Sequence, residues 1–167
     1  NGKLKVLTFG AGVIGTNIGG SLALTGHQVV FVEKQKVVEE LREKGMRLDL
    51  TLDSRRKTKD ASLLDPSAFV IVASLEEALR YGPFDLALFA LKSFDTQAAL
   101  EGIKPFADKM PSILCLSNGV SNEPAIAESL GADRVIYGTV TSAIGRRGAG
   151  DIVLEKLRGG GIATGHP

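Results

Sequence analysis

The chain of 167 residues has one cysteine, two histidines and no tryptophan. A lone Cys115 excludes a disulfide framework and a cysteine metal site within one copy, and it suits a reducing, cytoplasmic setting. Set in the apolar run "SILCL", it reads as a buried small hydrophobe. No apolar stretch approaches the roughly 20 residues that span a bilayer, and the opening "NGKLKV" lacks the n-region and h-region of a signal peptide. Charge is equally uninformative about large partners. Twenty basic against nineteen acidic residues give a formal +1, without a block of like charge to grip nucleic acid or a membrane surface. His27 precedes an apolar run and suits a turn, while His166 lies at the end of the chain. No arrangement of Ser, His and Asp makes a triad, and no His, Asp or Glu spacing suggests a metal.

Glycine, by contrast, is plentiful, and five of the 20 crowd into "FGAGVIGTNIGG". Around them the pattern is regular. Leu4 to Phe9 is apolar and β-rich, and Val13 to Leu24 carries Ile14, Ile18, Leu22 and Ala23 at helical spacing. Gly26 suits a helix C-cap, Gln28 to Val32 is a strand buried on both faces, and a helix over about Gln35 to Lys44 ends at Gly45. Such β-α-β-α alternation produces a parallel sheet with right-handed crossovers.

Beyond Gly45, "MRLDLTL" alternates as a half-exposed strand and "DSRRKTKDASLLDP" reads as a polar loop before a strand over Ala68 to Ala73. Ser74 and Glu77 have the spacing of a capping box at the start of "SLEEAL". Strands over Asp85 to Leu91, Ser112 to Leu116 and "RVIYGTV" alternate with helices over Thr96 to Phe106 and Glu123 to Leu130. The last segment, "GDIVLEKLRGGGIATG", reads as short strands separated by glycines. The expected fold is one α/β domain of Rossmann type: a doubly wound, mostly parallel sheet with short extra strands at its C-terminal edge.

Gly10, Gly12 and Gly15 form G-x-G-x-x-G directly after a strand and at the opening of a helix, and Glu33 follows about 20 residues later at the end of the second strand. Gly10 would allow the sharp turn, and Gly12 would let the backbone approach a pyrophosphate held by the helix N-terminus. Gly15 and Gly19 would let the helix pack closely on the sheet, whereas Gly20 has no task in this scheme. An acidic Glu33 can bind the adenosine ribose 2′-OH and would repel a 2′-phosphate, which favours NAD. Lys34 and Lys36 follow it and could reach such a phosphate if Glu33 turned away, so the residues leave NAD and NADP both open.

Two further residues sit where a doubly wound sheet places its ligand. Lys92 ends the strand in "LFALKSFD", and Asn118 ends the one in "LCLSNGVSNE". A lysine there supplies positive charge to a cofactor or a carboxylate substrate, and an amide orients a carbonyl or a ribose hydroxyl. Singly, they suit an exposed strand end and an Asn-Gly turn; as a pair opposite a glycine loop they fit that reading less comfortably.

With these residues in place the whole chain resembles the N-terminal nucleotide-binding domain of the ketopantoate reductases, the 2-dehydropantoate 2-reductases. The segments "FGAGVIGTNIGGSLALTGHQVVFVEK", "LREKGMRL", "DLALFALKSFDTQAAL", "ILCLSNGVSNEPAIAESLG", "RVIYGTVTSA", "GDIV" and "GGGIATG" carry the likeness in family order. The resemblance implies NADP(H)-dependent reduction of a small 2-oxo acid, typically ketopantoate to pantoate on the route to pantothenate and coenzyme A. It places the cofactor diphosphate on Gly10, Ala11, Gly12, Val13, Ile14 and Gly15, and Lys92 toward cofactor and substrate. Asn118 falls near the nicotinamide ribose and the substrate, and a backbone contact near Ile144 in "GTVTSAI".

Two features depart from the family pattern: Glu33-Lys34 stands where NADP-specific members often carry a basic residue, and Leu52 to Phe69 is long. The resemblance also implies a second, helical domain with a proton-donating lysine and much of the substrate site, which residues 1 to 167 do not include; the fragment is expected to bind cofactor without turnover. Alternatives from other classes are a nucleotide-sensing module without catalysis, a reductase of another 2-oxo acid, and a structural domain with an empty loop.

Overall fold

The computed structural model describes residues 2–56, 59–90, 96–116, 127–128, 130–140, 143–156 and 162–165. Its centre is β1, Lys5–Phe9, whose last four residues are buried. Such a strand needs partners on both edges and cover on both faces. It pairs in parallel with β2, Gln28–Val32, on one side and with β6, Leu86–Phe89, on the other. Outward from β2 lies β5, Val70–Val72; outward from β6 lie β7, Ile113–Leu116, and β8, Val135–Val140, all parallel. The last strand, β11 (Ile162–Gly165), closes the far edge antiparallel to β8. Counted along the chain, the six parallel strands run 3-2-1-4-5-6, the order of a dinucleotide-binding sheet.

The two faces are covered by different helices. Leu7, Phe9, Val30, Phe89, Ile113 and Cys115 turn toward α3, Leu75–Leu79, and α4, Thr96–Ile103. On the other face Val29, Phe31 and Ile71 meet α2, Gln35–Lys44, through Val38 and Leu41, while Val6, Leu88 and Leu116 meet α1, Val13–Leu24, through Ile14, Ile18 and Leu22. The expected doubly wound arrangement is therefore present. Ser74 caps α3 as its spacing implies: its hydroxyl oxygen accepts from the Glu77 N–H at 3.2 Å.

A second sheet was not foreseen. Four strands run in the order β4-β3-β10-β9: β3 is Met46–Asp49, β4 Ser62–Leu64, β9 Ala143–Gly148 and β10 Asp151–Lys156. Its inner residues Met46, Leu48, Leu64, Ile152 and Leu154 are buried against α1 and α2. Helix α1 thus lies between two sheets, which explains why it is apolar on nearly every side. The segment expected to be loop before Ala68 contains β4 and two short 3₁₀ turns, Ser54–Arg56 and Pro66–Ala68. Asp65 caps the second, accepting from the Ser67 N–H at 2.9 Å. The strand expected over Ala68 to Ala73 is shorter, and most of the helix expected over Glu123 to Leu130 lies outside the described residues. Among the described residues no helix is long and apolar enough to cross a membrane.

Candidate functional site

The carboxyl ends of the central strands are level. One rung of the sheet runs Val72, Val32, Phe9, Phe89, Cys115, Tyr137, and because these strands are parallel their carboxyl ends lie on one side of it. β1 is the point at which the order of the strands reverses, the position at which sheets of this order generally bind a ligand.

The loop after β1 is shaped by its glycines. Gly10 has φ +95°, a conformation that L side chains rarely adopt, and its N–H is held by the Val32 carbonyl at 2.9 Å. On the other side the Ala90 N–H donates to the Phe9 carbonyl at 3.1 Å. A Cβ on Gly15 would collide with the Gly10 carbonyl, and one on Gly19 would stand 2.7 Å from the ring of Phe31. These two glycines let α1 approach the sheet, as the sequence implies. Gly12 differs, because its backbone is ordinary, at φ −80°, and nothing lies within 4 Å of the place where its Cβ would stand. The space in front of Gly12 is open.

Polar groups complete the loop. No side chain caps α1 at Gly12, and no acidic residue lies in its first turn, so Val13 and Ile14 begin a helix whose first N–H groups have no acceptor within the helix. The buried Thr16 turns its hydroxyl back to the Ala11 carbonyl at 3.0 Å and fixes the loop from beneath. Thr16 escaped the sequence reading; a polar β-branched residue one turn into an apolar helix is the signal that marks it.

Glu33 follows β2 and is half-buried. Its Oε2 accepts from the Ala11 N–H at 2.8 Å, and its Oε1 from the Lys34 N–H at 2.9 Å. Lys34 is the exposed N-cap of α2, and Lys36 is also exposed. Ile144 lies in β9 opposite Leu154 and packs against the apolar cluster that contains Ala11. Lys92 and Asn118 lie outside the described residues; along the chain they come three residues after the end of β6 and two after the end of β7.

Other sequence expectations find their places. His27 serves the turn before β2, where its Nδ1 accepts from the Leu4 N–H at 2.9 Å. Asp85 sits at the opposite end of the sheet from the glycine loop, its carboxylate accepting from the Lys5 N–H at 2.8 Å. Cys115 is buried.

The arrangement fits a dinucleotide. An uncapped helix N-terminus attracts a diphosphate, the space before Gly12 is open to admit one, and a carboxylate stands at the end of the second strand.

Comparison with known proteins gives the family and the fold. Residues 6–166 match the family model described as ketopantoate reductase PanE/ApbA. A 2-dehydropantoate 2-reductase from Halobacterium salinarum is 30% identical over 168 aligned positions, covering 96% of this chain and 48% of that protein. The crystal structure of 2-dehydropantoate 2-reductase from Geobacter metallireducens GS-15 superposes with a TM-score of 0.76 at 27% identity, covering 98% of this chain and 49% of that one. A complex of D-mandelate dehydrogenase with NADH shares the fold, with a TM-score of 0.68 at 20% identity over 90% of this chain and 43% of that one. The chain spans about half the length of the curated relatives it matches.

Proposed function

We propose that this chain, which belongs to the PanE/ApbA ketopantoate reductase family, is the nicotinamide-dinucleotide-binding half of a 2-oxo acid reductase whose substrate is 2-dehydropantoate. The observation that carries the reading is the open, uncapped loop at Gly12, placed where the strand order reverses. The loop backbone from Gly10 to Gly15 would hold the diphosphate, Glu33 and Lys34 would meet the adenosine ribose, and Ile144 would contribute through its backbone. A nicotinamide cofactor supplies the hydride.

The chain's own residues would orient the substrate. A 2-oxo acid brings a carboxylate and a ketone whose oxygen becomes an alkoxide. Lys92 offers a cation to those charges, and Asn118 offers an N–H donor and a carbonyl acceptor to fix the ketone against the ribose. The alkoxide needs a proton, which we assign to a lysine in a second, helical domain, within the half of the relatives' length that this chain does not span.

Titration calorimetry with NADH and NADPH tests the first half of this reading: heat of binding from at least one is expected, and none from either would remove it. Consumption of the reduced cofactor with 2-dehydropantoate, by a protein carrying both domains, tests the second. Activity confined to a different 2-oxo acid would overturn the substrate.

A further inference from the structure

The resemblance implies NADP(H), but Glu33 is held in a way that points elsewhere. We propose that Glu33 makes this domain select NADH over NADPH, an inference that rests on the dinucleotide reading of the glycine loop. Lys34 and Lys36 could receive a 2′-phosphate only if the carboxylate moved aside, and its contacts oppose that movement. Oε2 takes the N–H of Ala11, a residue only 3% exposed, and Oε1 takes the N–H of Lys34. Turning Glu33 outward would strip the buried Ala11 N–H of its acceptor, which is costly away from water.

A carboxylate fixed in this place is matched to hydroxyls. Each of its oxygens retains acceptor capacity after one backbone bond, so the ribose 2′-OH and 3′-OH can donate to it. A 2′-phosphate has acceptor oxygens and a charge near −2, and would bring like charges together beside a half-buried group that salt screens poorly.

The end of α2 adds to the same preference. An anion is favoured at a helix N-terminus, yet here the Glu33 carboxylate already occupies that position, bonded to the N–H of the N-cap residue Lys34. The attraction available to a phosphate at this helix end is therefore partly used within the chain. Lys34 and Lys36 are exposed, and charge on exposed side chains is screened by salt more strongly than the carboxylate between them and the loop.

The test is calorimetric titration of the 167-residue chain with NADH and NADPH at one ionic strength. NADH is expected to bind at least about ten-fold more tightly. Glu33→Gln keeps an acceptor for the Ala11 N–H but removes the charge, and should bring the ratio toward one; Glu33→Arg should reverse it. Equal affinities, or tighter NADPH, in the unaltered chain would overturn the proposal while leaving the dinucleotide reading intact. Binding of neither would overturn that reading and the proposal together. The ratio in the unaltered chain decides the matter even if a variant fails to fold.

Discussion

Gly20 faces Leu48 across the gap between α1 and the second sheet: a Cβ on the glycine would meet both terminal methyls of the leucine at 3.1 Å. The task of the fifth glycine is therefore to admit a second sheet, on the side of α1 away from the first. Its neighbour Gly19 faces the first sheet, where a Cβ would come within 2.7 and 2.8 Å of the Phe31 ring. Phe31 is fully buried and edge-on to Phe69 at 5.7 Å, so it has little room to retreat. Gly19→Ala is expected to destabilise the domain by about 1–3 kcal/mol despite the better helix propensity of alanine. In Gly20→Ala the propensity gain of about 1 kcal/mol works against a small shift of Leu48, so stability should stay within about 1 kcal/mol of the original. Urea unfolding of the two variants measures both; equal losses would mean that α1 does not distinguish its two sheets.

The loop glycines should separate binding from folding. Gly12 has an ordinary backbone and empty space beside it, so Gly12→Val is expected to change stability by less than about 1 kcal/mol while abolishing cofactor affinity, because its side chain fills the approach to the backbone. Gly15→Ala meets the Gly10 carbonyl, a backbone atom that cannot swing aside, and should lose both stability and affinity. Unchanged affinity in Gly12→Val would show that the diphosphate does not lie there.

The main sheet was legible because its strands are continuous apolar runs separated by glycine and capping signals: Gln28 to Val32 as a strand and Ser74 as a cap need no tertiary information. The second sheet was not. β3 pairs with β10 across about a hundred residues of chain, in a register that sets Arg47 beside Asp151, with Nη1 and Oδ1 3.3 Å apart, and β4 is only three residues long. Pairing at that distance has no local period to announce it. In the candidate site, the glycines and Glu33 could be read from spacing, but the bond between Glu33 and Ala11 could not, since it depends on how closely the loop approaches the end of β2. Gly20 shows the same limit from the other side, as a glycine without a task until its neighbour is known.

Acid should weaken the second sheet at Asp49. Its carboxylate accepts from the Thr51 hydroxyl at 2.7 Å and from the Thr51 N–H at 3.3 Å, with the Arg147 guanidinium 3.7 Å away. The Thr51 hydroxyl leads in holding its pKa below the ordinary aspartate value of 3.8, followed by the Thr51 N–H, with Arg147 adding a smaller effect. A carboxyl whose pKa falls on folding adds stability that is complete above the unfolded value and is lost as pH drops through the folded one. Denaturant midpoints measured above and below pH 3.8 should therefore converge between the unaltered chain and Asp49→Asn as the pH is lowered. A difference that is constant with pH would assign the role of Asp49 to something other than its charge.

Cofactor binding and turnover should part company in this chain. The proposed function gives the cofactor contacts to the glycine loop, Glu33 and Lys34, so the 167 residues are expected to bind a nicotinamide cofactor and to reduce 2-dehydropantoate negligibly, because the proton donor is assigned to the helical domain. Measurable turnover by the isolated chain would place the acid within it. In a protein carrying both domains, Lys92→Ala should lower kcat/KM by about 10²–10³-fold, the usual cost of removing one group that stabilises a developing oxyanion. Cofactor affinity should change far less, since the proposed function gives the diphosphate to the loop backbone. An equal loss in both measurements would make Lys92 a cofactor-binding residue alone, and the charge that steadies the alkoxide would then have to come from the second domain.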